Sequence, residues 1–183
     1  SIVIGLVGRI NRHKGQRLLL SVFNELKKNP AHNIYLLFIG STIKSQLFLL
    51  DELKKEISNK NLKNFVTIVD FQKEIYEYYD CIDIVLVPTT DPEPFGLVAL
   101  EGMLSKKPVI ASNHGGLKEI VLHNKTGLLF EPNNETDLKK TIENLIDNQH
   151  FIKQYGEQGE KRAKLEFSLV KYVNNFKALY NLL

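Results

Sequence analysis

Short apolar runs that alternate with amphipathic, helix-spaced stretches constrain this chain more than any other feature. "IVIGLVG" (Ile2–Gly8) is continuous, β-branched and ended by glycine, which predicts a strand buried on both faces. "KGQRLLLSVFNELKKN" follows with Leu19, Phe23 and Leu26 on one helical face, and Asn29-Pro30 stops it. The alternation repeats down the chain. Strands are predicted at Asn33–Gly40, Asn64–Val69, Asp83–Pro88, Pro108–Ser112 and Gly127–Phe130. Between them lie a charged helix over 44–58, with Leu47, Leu50, Leu53 and Ile57 inward, and a short helix in "EIYEYYDC". From Glu135 onward three helical segments complete the chain. Strands alternating with helices predict an α/β class: one Rossmann-like, doubly wound parallel sheet with helices on both faces.

The totals narrow the function classes. The chain has 183 residues, enough for one domain with a full core. Net charge is only +3, with 24 basic and 21 acidic residues interspersed, so no basic stripe argues for nucleic acid. The single cysteine, Cys81, allows no internal disulfide and is expected to pack in the core. The five histidines show no metal-ligand spacing, so no metal site is expected. No apolar run approaches the roughly 18 residues that a membrane span needs. The chain opens directly on a strand at Ser1–Ile2, and its single methionine is Met103, which suggests a piece of a longer protein.

Open parallel sheets bind ligands beyond the carboxyl ends of their strands. The loops there carry the candidate chemistry. After the first strand comes "GRINRHKG": Gly8 ends the strand, with Arg9 beside it and Lys14 five positions on. Cations at a strand-to-helix loop suit an anion such as a diphosphate; Arg12 reads as a solvated surface charge. After the fourth strand comes "PTTDPEPFGLVALEGM". Pro92 and Pro94 stiffen the approach to a helix expected to begin near Phe95–Gly96. Its free N–H groups at Phe95, Gly96 and Leu97 would face the strand ends. Glu93 stands just before them, either as a ligand acceptor or as a charge favoured by the helix dipole. Glu101 lies in an apolar run, expected about two turns into the helix. There it needs a partner: ligand hydroxyls, a cation or a neighbouring lysine. "SNHGGLKEIV" follows the fifth strand, and its Gly115-Gly116 pair suggests close backbone approach or a tight turn.

These segments together resemble the retaining GT-B glycosyltransferases, and glycosyltransferase family 4 in particular. The resemblance rests on "GR" followed by Lys14, "EPFGLVALEGM" with glutamates eight apart, "KPVIASNHGGLKEIV" and "KTGLLFEP", and it runs from about Ile2 to Tyr180. It implies the C-terminal, donor-binding half of a GT-B fold over 1–183, with the acceptor domain lying elsewhere in the full protein. Arg9, Lys14 and Glu93 would carry the chemistry. Gly8, Phe71, Pro94, Phe95, Gly96, Leu97 and Glu101 would join Glu93 in holding the donor, with Glu93 on the sugar, Glu101 on the ribose and Phe71 by the base. The implied donor is a nucleotide diphosphate sugar, UDP-sugar first and GDP-sugar second, with no cofactor and no metal required. The implied acceptor is a glycan or glycolipid, in bacterial surface polysaccharide synthesis. Work in the cytoplasm, with peripheral association at the inner face of the membrane, fits that role. The segment 168–183 would cross toward the acceptor domain. Two departures stand out: "GSTIKS" replaces a family glycine after the second strand, and "FQKE" replaces one after Phe71. A non-catalytic nucleotide-binding module and a GT-B nucleotide-sugar epimerase are the competing readings.

Overall fold

The computed structural model describes residues 1–180. Six strands form one parallel sheet: β1 (Ile2–Val7), β2 (Ile34–Ile39), β3 (Val66–Val69), β4 (Ile84–Val87), β5 (Val109–Ser112) and β6 (Gly127–Phe130), in the order β3-β2-β1-β4-β5-β6. Eight helices accompany them among the described residues: α1 (Gln16–Leu26), α2 (Leu47–Asn59), α3 (Tyr76–Asp80), α4 (Leu97–Leu104), α5 (Leu117–Ile120), α6 (Glu135–Asp147), α7 (His150–Glu166) and α8 (Leu169–Tyr180). The predicted α/β class and the predicted strands are all present.

The apolar runs are continuous because each strand is covered on both faces. Alternate residues of β4 divide between two cores: Ile84 and Leu86 join one, Val85 and Val87 the other. The first core holds the inward faces of α1, α2 and α6, including Leu19, Phe23, Leu53 and Ile142. The second holds Tyr79 of α3, Ala99 and Met103 of α4, Leu117 of α5 and Ala163 of α7.

Three expectations are corrected. Leu47 is exposed, because a 3-10 turn at Lys44–Gln46 precedes α2 and makes Leu47 its first residue. Leu49 takes the inward place on the stripe with Leu53 and Ile57. Cys81 is also exposed: it caps α3, and its neighbour Ile82 fills the core instead. The helix after β4 starts at Leu97, with Gly96 as its N-cap, so Glu101 lies one turn in rather than two. The first-turn N–H groups of α4, at Leu97 and Val98, and those of Phe95 and Gly96 just before them have no hydrogen-bond partner among the described residues.

The C-terminal segment is helical from Leu169 to Tyr180, with Val170, Val173, Phe176 and Tyr180 exposed. The rest of the segment, 181–183, lies outside the described residues.

Candidate functional site

The strand order places β1 beside β4, where chain progression reverses direction across the sheet. A crevice opens at the carboxyl ends of such a pair, because the two following loops diverge to opposite faces. In this chain those two loops carry the cations and the acids. They do not merely adjoin but interlock. Asn11 Oδ1 accepts from the backbone N–H groups of His13 and Lys14, both at 2.9 Å, closing the first loop into an Asx turn. Gln16, buried at the start of α1, donates its Nε2 to the Arg9 carbonyl at 3.0 Å. The Thr90 N–H donates to the His13 carbonyl at 2.8 Å. Gly15 has φ +80, and a Cβ there would fall 1.9 Å from the Pro88 carbonyl oxygen. Only glycine fits that backbone and that contact.

An ion pair and a histidine–carboxylate contact finish the clasp. Lys14 Nζ lies 2.5 Å from Glu93 Oε2, both side chains partly buried. His13 Nδ1 lies 2.6 Å from Asp91 Oδ2, well exposed. The sequence-predicted Lys14 and Glu93 thus meet, although 79 residues separate them.

The loop after β5 braces the acid loop from behind. Gly116 N–H donates to the Glu93 carbonyl at 2.8 Å. Gly115 has φ +54, and a Cβ on it would come within 2.4 Å of that same carbonyl oxygen. The close approach expected of the glycine pair is thus to the protein's own Glu93–Phe95 backbone. Ser112 Oγ donates to the Thr89 carbonyl at 2.8 Å, and the Thr89 hydroxyl meets His114 Nε2 at 3.2 Å.

Two cavities flank the clasp. The first, about 330 Å³, is lined by Lys14, Thr89, Glu93, Pro94, Phe95, Gly96, Leu97 and Val98. The second, about 560 Å³, is lined by Gly8, Arg9, Thr42, Phe71, Ile75 and Glu101 among others. Both lie in the size range of small-molecule sites. Val7 borders both, so they are halves of one crevice. The expected site residues divide between them. Lys14, Glu93 and the 94–97 run line one half; Gly8, Arg9, Phe71 and Glu101 line the other. Phe71 lines the second cavity and is 71% exposed.

Glu101 has a partner that sequence reasoning missed. The Tyr79 hydroxyl donates to Glu101 Oε2 at 2.9 Å. Burial, and then the adjacent Glu101 charge, push the Tyr79 phenol well above its ordinary value, so it stays a neutral donor. Tyr79 belongs to the core, yet its hydroxyl reaches the site from another element, 22 residues away from Glu101. No local spacing signals that pairing. The Asx turn at Asn11 was detectable, since an asparagine two and three residues before the N–H groups it accepts is a local pattern. Among the described residues no group of three or more His, Cys, Asp and Glu side chains could hold a metal ion.

The pattern of the family described as "Glycosyl transferases group 1" matches residues 1–162. Among curated proteins, an uncharacterized glycosyltransferase of Methanocaldococcus jannaschii is 38% identical over 134 residues, covering 70% of this chain and 38% of that protein. The capsular polysaccharide biosynthesis glycosyltransferase CapM of Staphylococcus aureus is 28% identical, covering 99% of this chain and 46% of that one. Among solved structures, Anabaena HepE in complex with UDP superposes with a TM-score of 0.91 at 26% identity, over 100% of this chain and 49% of HepE. The fold matches the C-terminal Rossmann-like domain of GT-B glycosyltransferases. The chain spans less than half the length of these curated relatives.

Proposed function

The chain belongs to the group 1 glycosyl transferases, and from that premise we propose that it is the nucleotide-sugar-binding domain of a retaining family 4 enzyme. The full protein moves a hexosyl or N-acetylhexosaminyl group from a nucleotide diphosphate sugar to an acceptor hydroxyl. UDP-sugar is the first choice of donor, as the UDP bound by HepE suggests, and GDP-sugar the second. The single observation that carries the reading is the meeting of Lys14 and Glu93 where β1 and β4 adjoin, with Glu101 and Arg9 in the next cavity.

The roles follow from what each group can donate or accept. Arg9 and Lys14 bind the diphosphate, helped by the free N–H groups of Leu97 and Val98 at the positive end of α4. These groups stabilise the charge that develops as the diphosphate departs, so no step is assigned to a metal. Glu93 accepts from sugar hydroxyls. It first has to release Lys14, and the incoming phosphates supply the replacement charge. Glu101 uses one oxygen for Tyr79 and offers the other to the ribose diol. Phe71 covers the base.

The acceptor is a glycan or glycolipid of surface polysaccharide synthesis, as the capsular relative suggests. Its reacting hydroxyl is presented by a domain outside residues 1–183, at the cytoplasmic face of the membrane. Residues 1–183 alone therefore bind the donor and transfer little. No described helix is long and apolar enough to cross a membrane. Titrating UDP, GDP and ADP against the wild type and Arg9→Ala tests the donor site. UDP binding that weakens in Arg9→Ala supports it. Binding to none of the three, or binding indifferent to Arg9, refutes it.

A further inference from the structure

The loop "GRINRHK" holds more positive charge than a donor diphosphate needs. Four of its residues are basic: Arg9, Arg12, His13 and Lys14. The facing acid loop pairs two of them, His13 with Asp91 and Lys14 with Glu93. Among the described residues neither Arg9 nor Arg12 makes an ion pair. The backbone of both is nonetheless fixed. The Arg9 carbonyl accepts from Gln16, and the Arg12 carbonyl accepts from the Thr90 hydroxyl at 3.3 Å. Two guanidinium groups thus spring from anchored positions without a carboxylate partner.

Both line one further cavity, about 480 Å³, between the first loop and the start of α2. Its other walls include Asn11, Gln46, Ile43, Phe48 and His13, whose ring contacts Asp91, and among the described residues no carboxylate lines it. Asn11 has spent its side-chain oxygen on the Asx turn, which leaves its amide N–H groups as donors. The cavity is therefore rich in donors, positive and bordered by apolar side chains: Ile43 and Phe48 are both exposed there. Forked guanidinium donors match phosphate oxygens better than they match any neutral group. Arg9 and Ile43 also line the nucleoside half of the crevice, so this cavity abuts the donor site.

We propose that the Arg12 cavity binds a phosphate ester, the phosphate of an acceptor whose attached group lies on Ile43 and Phe48. The inference rests on the donor-site reading above and extends it. With Arg9 engaged by the donor diphosphate, Arg12 and the Asn11 and Gln46 amides meet the second phosphate. The acceptor class is then phosphate-bearing rather than a neutral glycan.

The probe is butyl phosphate, titrated into the UDP-saturated chain and followed by the backbone amide resonances of Arg12 and Phe48. Inorganic phosphate and butanol form the parallel arms. The expected result is saturable binding of butyl phosphate without displacement of UDP. Inorganic phosphate should bind more weakly, and butanol not at all. Arg12→Gln should weaken butyl phosphate about tenfold, the loss of one charge-assisted fork, with UDP affinity unchanged. Lys125→Gln, a surface cation elsewhere, should change neither. Four outcomes overturn the proposal: no binding, competition with UDP, equal binding of the two phosphates, or indifference to Arg12→Gln. If UDP binds and butyl phosphate does not, this inference fails and the donor reading stands. If UDP itself does not bind, both fail. A thermal melt of Arg12→Gln that matches the wild type shows that the variant is folded.

Discussion

The two halves of the crevice satisfy their glutamates in opposite ways. Glu93 is held by a cation, Lys14, in an ion pair between two loops. Glu101 is held by a neutral phenol, Tyr79, which is itself locked in the core. The first arrangement can exchange partners, because an incoming phosphate can take the lysine and a sugar hydroxyl can take the carboxylate. The second is preset, because Tyr79 cannot leave and one oxygen of Glu101 remains open. On this account the nucleoside half is ready before the ligand arrives, while the sugar half is assembled by it. Preset acceptors favour affinity, and exchangeable ones favour groups that matter as the bond breaks.

The largest expected effect lies on the exchangeable side. If Lys14 binds the departing diphosphate as proposed, Lys14→Ala in the complete enzyme should lower kcat by about 10²–10³. Steady-state kinetics with a UDP-sugar would read this directly. A fall in donor affinity alone, with kcat intact, would make Lys14 a mere anchor and break the contrast.

A smaller effect tests the brace behind Glu93. Gly115→Ala forces a side chain into a left-handed backbone and against the Glu93 carbonyl. It should cost about 1–3 kcal/mol in chemical denaturation. UDP affinity should survive in the folded fraction, because the nucleoside half does not depend on this loop. Loss of UDP binding in folded protein would show the two halves to be mechanically coupled.

The smallest effect sharpens the preset side. The Tyr79 phenol is raised above its ordinary value in the folded chain. Its contribution to stability is therefore intact below about pH 10, the unfolded tyrosine value. Above that pH the unfolded chain releases the proton and the folded chain keeps it, so stability falls as pH rises. Tyr79→Phe removes this dependence. The stability gap between wild type and Tyr79→Phe should narrow above about pH 10, as denaturant melts across pH would show. A gap that widens instead would mean that the phenol ionises in place.

Much of this arrangement was legible in the sequence. Each strand showed as a continuous apolar run because both of its faces are covered, and the run-to-run alternation implied parallel strands. That in turn placed Arg9, Lys14, Glu93 and the glycine pair at one end of the sheet. What escaped was set by contacts between distant segments. Nothing near Glu101 announces a tyrosine on α3. Nothing in "DPEPFG" shows that Gly96, with φ +108, delays the helix until Leu97. Leu47 and Cys81 were misplaced because helix ends, unlike helix middles, do not obey the apolar stripe. The Lys14–Glu93 pair was hidden for another reason. Each is expected to meet a ligand atom, and in the structure each is the other's partner.

The division between the glutamates is tested most directly by one calorimetric comparison: UDP titrated into wild type, Glu93→Gln and Glu101→Gln. The account expects Glu101→Gln to weaken UDP about tenfold, the loss of one charged acceptor. It expects Glu93→Gln to leave UDP binding equal or tighter, because Lys14 is then free for the phosphates. Equal weakening by both substitutions, or weakening by Glu93→Gln alone, would contradict it.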